Sequence, residues 1–357
     1  MVMDARLTRR SLLTALGIAP FLRSQQRDSA TFSTNVKVVS FFANVRDKKG
    51  EIVRDLTKEQ FLLDEDGRPQ TIRYFSQESD LPLTLGLLVD TSGSQRRLIG
   101  EERDASSRFF DQVLRPEKDL AFVIHFDFEV ELLQDLTSSR RLLQQALDQL
   151  ESPTQLRQRP QQGRYPPSNP GPVPGGGRRG GGGTDLYDSV LLGSEDIMRK
   201  QTGRKALIIL SDGVDTGSKV SISSCIEAAQ RSDTLVYSIL FEDPEAYAGG
   251  GMGGYGGGRG RRRRMGGPMP IPGRGGHPDG KKVLEQISRE TGGRFFHVSK
   301  KDTLSRVYAE INDDLRHQYS IGYTPDTDAQ NRGFRHIHLS TTQKGLVVTT
   351  REGYYPS

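Results

Sequence analysis

The sequence predicts an α/β fold: a doubly wound, mostly parallel, Rossmann-like sheet, with a small β-module formed from the N- and C-terminal flanks. Three observations carry this. Between Leu81 and Arg316, apolar β-type runs alternate with segments of helical periodicity. Two of those runs, Leu83–Val89 and Lys205–Leu210, are apolar almost throughout, as strands covered on both faces must be. Outside that span, both ends of the chain are β-branched, aromatic and punctuated by turns.

Each element has its own signal. In the N-terminal flank, Val36–Val45 reads as a strand and Asp47-Lys48-Lys49-Gly50 as a turn. Leu56–Phe61 is a capped helical turn leading into Phe61–Asp64, and Asp66-Gly67 is a hairpin turn into a strand over Gln70–Phe75. In the central span, strand Leu83–Val89 precedes helix Arg96–Leu114 and strand Asp119–Phe126. Glu129–Gln134 is a short antiparallel neighbour, because Asp127-Phe128 suits only a tight turn. Ser138–Leu150 is a helix capped by Ser138 or Ser139. Asp185–Lys200 is another, with Thr184 at its cap. Strands Lys205–Leu210, Thr234–Phe241 and Arg294–Val298 then alternate with helices Val220–Ser232, Lys281–Thr291 and Lys301–Arg316. The C-terminal flank holds strands Gln318–Tyr323, Phe334–Ser340 and Leu346–Thr350. These are expected to pair with the N-terminal strands, since the ends of a domain often lie close together.

The resulting organisation is a targeting segment over 1–30, an N-terminal β segment over 31–80, the main domain over 81–317 and a C-terminal β segment over 318–357. Two low-complexity insertions, 153–183 and 248–280, interrupt the main domain. Rich in Gly, Pro, Gln and Arg, they lack the apolar content to offset the entropy of ordering, so flexible surface segments are expected. At the N-terminus, Arg6, Arg9 and Arg10 precede an apolar run over Leu12–Leu22, and Thr8-Arg9-Arg10-Ser11-Leu12-Leu13 resembles a twin-arginine export signal. The expected location is therefore outside the cytoplasm: periplasm, cell envelope or secreted. No later apolar run is long enough to span a bilayer.

Composition narrows the partners. The formal net charge of +5 comes from 50 basic and 45 acidic residues. Its surplus sits in Arg157–Arg179 and in Arg259 and Arg261–Arg264, so a nucleic-acid partner for the protein as a whole is not expected. The Gly/Arg stretch superficially resembles RNA-binding tracts, but export argues against that use. A single cysteine, Cys225, excludes an internal disulfide and reads as a small packing residue.

The most informative stretch is Asp90-Thr91-Ser92-Gly93-Ser94, where an apolar strand stops at a carboxylate followed by two hydroxyls at alternate positions. That makes a hard-oxygen site at the carboxyl edge of a sheet, where open α/β folds bind ligands and where Mg²⁺ finds the donors it prefers. Alone, Asp-x-Ser-x-Ser arises by chance in about one chain in ten of this length. Two further segments supply partners: Leu210-Ser211-Asp212-Gly213, a second apolar strand ending in a carboxylate, and Gly183-Thr184-Asp185-Leu186, a hydroxyl at a loop end. Asp185, Asp188 and Asp215 lie near these in sequence and read as helix caps or supporting groups. The six histidines show no metal-ligand spacing; His336 and His338 share one strand face and read as surface residues.

Asp90-Thr91-Ser92-Gly93-Ser94, Thr184 and Asp212, in that order, resemble the von Willebrand factor A (VWA) domain and its metal-ion-dependent adhesion site (MIDAS) over Leu81–Arg316. The flanks, ending in Arg335-His336-Ile337-His338-Leu339 and Arg351-Glu352-Gly353-Tyr354-Tyr355, are similar to bacterial exported VWFA-related proteins, abundant in acidobacteria. The resemblance implies direct coordination of a divalent ion, Mg²⁺ or else Mn²⁺ or Ca²⁺, by Ser92 and Ser94. Thr184, Asp90 and Asp212 would act directly or through water. Two carboxylates and three neutral hydroxyls leave such an ion electrophilic, so a protein partner's acidic side chain can take the open position. The expected function is a non-catalytic, exported binding or adhesion protein. A scaffold with a structural metal site and contacts made by the Gly/Arg insertions is the alternative. A metal-dependent hydrolase ranks below both, since no Ser-His-Asp order, phosphate loop or pair of catalytic carboxylates is present.

Overall fold

The computed structural model describes residues 38–77, 81–150, 183–241, 279–299, 301–325 and 333–356. The targeting segment expected over 1–30 and nearly all of both expected insertions lie outside the described residues.

The centre is a six-stranded sheet of β5 (Leu83–Asp90), β6 (Leu120–Phe126), β7 (Val130–Thr137), β8 (Arg204–Ser211), β9 (Leu235–Leu240) and β10 (Phe295–His297). Their order is β10-β9-β8-β5-β6-β7, parallel throughout except for β7, which runs antiparallel to β6. This is the doubly wound order, 3-2-1-4-5-6, whose direction of growth reverses at β5. Side chains alternate between two cores. Leu85, Leu87 and Val89 face α1 (Ile99–Val113), α2 (Arg140–Leu147) and α6 (Leu304–Arg316), meeting Phe109, Leu143 and Ile311. Leu88, Phe122, Ile124, Leu207 and Ile209 face the other side, meeting Val190 of α3 (Leu186–Leu191), Ile226 of α4 (Ile222–Arg231) and Leu284 of α5 (Gly280–Thr291). Burial on both faces explains the unbroken apolar runs of β5 and β8.

The flanks form the composite β-module. β1 (Val39–Arg46) lies between β11 (Tyr319–Tyr323) and β13 (Val347–Thr350), and β11 also pairs with β4 (Ile72–Gln77). A second sheet joins β14 (Gly353–Tyr354), β12 (Arg335–Thr341), β2 (Phe61–Glu65) and β3 (Arg68–Gln70). Phe41, Val45, Phe61, Leu63, Ile321 and Leu339 form the core between the two sheets.

Several sequence expectations are refined. The single strand expected over Gln70–Phe75 is two strands in different sheets, broken at Thr71. The Asp66-Gly67 turn does form, with φ of +49° and +76°, the left-handed pair that a two-residue hairpin of this twist needs. Helix 138–150 shortens to α2, and its cap is Ser139, whose hydroxyl accepts from Leu142 N. The helix expected over 185–200 is α3 followed by a π turn (Leu192–Ile197) and a 3₁₀ turn (Met198–Lys200). Its cap position belongs to Asp185, not Thr184. The backbone of Thr184 is held by the loop after β8, so helical geometry starts one residue later.

Candidate functional site

β5 and β8 are neighbours in register, Val89 opposite Leu210, so both strands end together at the point where the sheet order reverses. Ligands of open α/β sheets sit in that crevice. There the structure brings Asp90, Ser92, Ser94 and Asp212 together. Asp90 is 0% exposed; one carboxylate oxygen accepts from Ser92 N (2.9 Å) and the other from Ser211 Oγ (2.6 Å). Ser92 Oγ lies 3.0 Å from Ser94 Oγ, and Ser94 Oγ donates to Asp212 Oδ2 at 2.7 Å. Asp212 Oδ1 accepts from Val214 N (3.0 Å), which fixes the carboxylate's direction. Burial first, and then the Asp212 carboxylate, push the Asp90 carboxyl up to about 7 against the opposing bonds from Ser211 and Ser92.

The turn after Asp212 depends on glycine. Gly213 has φ +77°, and a Cβ there would stand 2.2 Å from the carbonyl oxygen of Gly280, the first residue of α5. Gly213→Ala therefore combines left-handed strain with overpacking beside a site residue. It is expected to lower stability by about 2–4 kcal/mol, measurable by urea unfolding.

Thr184 lies on the same edge, held there through its backbone. Its N–H donates to Thr216 Oγ1 (3.1 Å), its carbonyl accepts from Thr216 N and Gly217 N (3.2 Å each), and the next amide, Asp185 N, donates to Asp127 O (2.7 Å). The loop is thus stitched between the end of β6 and the segment after Asp212. Among the described residues the Thr184 hydroxyl shows no hydrogen bond to Asp90, Ser92 or Ser94.

The neighbouring acids brace loops. The Asp188 carboxylate accepts from Lys219 N and Val220 N, each at 3.1 Å, and Asp215 accepts from Tyr187 N (3.3 Å) and Ser218 Oγ. Cys225 is buried with its thiol pushed upward by that burial, as a packing residue would be.

Three residues escaped the motif. Ser211 donates to Asp90 and accepts from Gly213 N (2.9 Å), tying both strand ends together. Its signal in the sequence is its place, immediately before Asp212 in a strand adjacent to β5. Gln95, before α1, and Glu102, in its first turn, lie buried, with no hydrogen-bond partner for either side chain among the described residues. Burial, then the charges of Asp90 and Glu101, push the Glu102 carboxyl well above the usual carboxylate range.

The residues present suit a hard divalent cation. Ser92 Oγ, Ser94 Oγ and Asp212 Oδ2 form one continuous run of oxygens beside the Asp90 carboxylate, which has no basic partner among the described residues. Among the described residues no group of three His, Cys, Asp or Glu side chains is placed to hold a metal; the donor set is carboxylate plus hydroxyl.

No family model and no curated protein matches the chain. Among solved structures, the conserved hypothetical protein BatB from Bacteroides thetaiotaomicron is 15% identical, with a TM-score of 0.41, covering 65% of this chain and 97% of its own. Proximal thread matrix protein 1 from the mussel byssus is 13% identical, TM-score 0.43, over 71% of this chain and 51% of that one. A further structure of that mussel protein has zinc in its MIDAS motif. The vWF domain of the type V pili tip protein Mfa5 from Porphyromonas gingivalis is 11% identical, TM-score 0.40, over 65% of this chain and 94% of its own. This chain's own strand order places the oxygen cluster at its reversal point, where a doubly wound α/β fold holds its ligand.

Proposed function

We propose that this protein is an exported, non-enzymatic binding module that captures a protein partner through a divalent cation, Mg²⁺ by preference. Asp90, Ser92, Ser94, Thr184 and Asp212 would hold the ion, and an acidic side chain of the partner would complete its shell. One observation carries the reading: the Asp90 carboxylate is buried against a second carboxylate and a run of hydroxyls, an arrangement that a bound cation would relieve. The edge also offers Phe128, an exposed aromatic in the β6–β7 turn, as apolar contact area beside the ion. The Arg-containing N-terminal run supports export, and among the described residues no helix is long and apolar enough to cross a membrane.

The test is calorimetric titration of Mg²⁺ and Mn²⁺ into wild type and Ser94→Ala, followed by pull-down from envelope extract with and without EDTA. Loss of a hydroxyl donor is expected to weaken metal affinity by at least about 10-fold. Partner capture is expected to vanish both in EDTA and in the variant. Capture that survives both, yet is lost on deleting residues 249–278, would transfer the contact to the Gly/Arg insertion and overturn the metal-bridged reading.

A further inference from the structure

At the opposite, amino edge of the central sheet, a cleft of about 440 Å³ separates β8 and β9 from the β1 and β11 strands of the flank module. Two cations line it, Lys205 near the start of β8 and Arg351 between β13 and β14. Both residues are buried, at 9% and 7% exposed. One carboxylate, Asp233, also lines the cleft; it pairs with Arg351 Nη1, and its own side chain is mostly solvent-facing.

The two cations retain unused donors. Lys205 Nζ makes one hydrogen bond, to Gln201 O at 3.3 Å, although an ammonium carries three N–H groups. Arg351 Nη2 donates to Ser40 O at 3.0 Å, while Arg351 Nε is buried with no acceptor among the described residues. Burial lowers the Lys205 ammonium's affinity for its proton; Asp233 opposes this and the Arg351 charge adds to it. A buried N–H without a partner costs stability, and two cations sharing one rim carboxylate leave a net positive charge in a low-dielectric space. An oxyanion would satisfy both, with charge-assisted bonds stronger than neutral ones. Thr202 also lines the cleft, whereas the Thr234 hydroxyl is taken up by Ser232, donating to its carbonyl at 3.2 Å. The volume falls in the range of small-molecule sites.

We propose that this cleft binds a small ligand carrying a carboxylate or phosphate group, held by Lys205 Nζ and Arg351 Nε. The site is separate from the metal edge and independent of the adhesion reading.

The experiment uses the full chain in metal-free buffer, so that anion bound through a cation does not register. Inorganic phosphate and succinate are titrated separately by calorimetry, and the Arg351 Nε–H resonance is followed by NMR. Saturable binding of at least one probe, with movement of that resonance, is expected. The probe that binds distinguishes phosphate from carboxylate chemistry. Lys205→Met, which keeps the chain length without the charge, is expected to weaken binding about 10- to 100-fold. Its thermal unfolding without anion shows that it folds. No saturation by either probe with a Kd below about 1 mM overturns the proposal. Equal affinity in folded Lys205→Met, or an unmoved Arg351 resonance, overturns it as well.

Discussion

Asp90→Asn is expected to make the metal-free protein more stable at pH 8, by about 2–4 kcal/mol, while removing its stabilisation by Mg²⁺. In the folded chain, burial and then Asp212 push the Asp90 carboxyl up to about 7, against an ordinary value of 3.8. A carboxyl raised on folding binds its proton more tightly in the native state. Its stabilising contribution is complete below about pH 4, is lost as pH rises towards 7, and leaves the full cost of the buried charge above that. A gap of about three pH units corresponds to ~4 kcal/mol, and relaxation around the site lowers what is measured. Asparagine preserves the local bonds: its carbonyl oxygen can accept from Ser92 N, and its amide can donate to the Ser211 hydroxyl, the two groups that now bind Asp90. The advantage of the variant should therefore shrink between pH 8 and pH 5. Added Mg²⁺ should raise the urea midpoint of wild type alone, since a ligand stabilises only the state that binds it. Urea titrations at pH 5 and 8, each with and without Mg²⁺, measure all of this. A variant less stable than metal-free wild type at pH 8 would show that Asp90 is held by contacts and not strained by charge.

How much of this was legible follows from what each feature depends on. Asp90 and Asp212 are conspicuous because each ends an apolar run, and a strand covered on both faces cannot continue past an ionised side chain. The sheet was legible for the same reason. Ser211 was not, because its meeting with Asp90 depends on the register of β8 against β5, a tertiary property. Glu102 occupies a polar position in an amphipathic helix; only the packing of α1 makes it buried. The break at Thr71 was passed over although Pro69, two residues earlier, marks β3 as an edge strand; the chain then leaves one sheet for the other. Thr184 marks a further boundary. The motif names it, while its place on the edge is set by backbone bonds to residues 216 and 217 that no spacing reveals.

The second large effect is expected at the junction between the two parts of the molecule, in the contrast between adjacent aspartates of α6. Asp314 is fully buried and takes Arg46 of β1 on one oxygen (2.5 Å) and Arg294 on the other (2.8 Å), while its backbone carbonyl accepts from Asn44 Nδ2 (2.8 Å). One residue thus joins the flank module to the central domain. Asp313 pairs with Arg54 at 3.0 Å, but both side chains are well exposed. Asp314→Ala strands two guanidinium groups that are largely removed from water, and breaking such a network costs about 3–5 kcal/mol. Arg294 keeps Glu310 at 3.2 Å and Arg46 is partly exposed, so the lower end of that range is expected. Asp313→Ala should cost no more than about 1 kcal/mol, because solvent already screens its pairs. Urea unfolding of the two variants side by side isolates burial as the variable, since the residue type, the helix and the substitution are the same. Equal losses would mean that the buried pairs of Asp314 hold the junction no better than the exposed pair of Asp313 does.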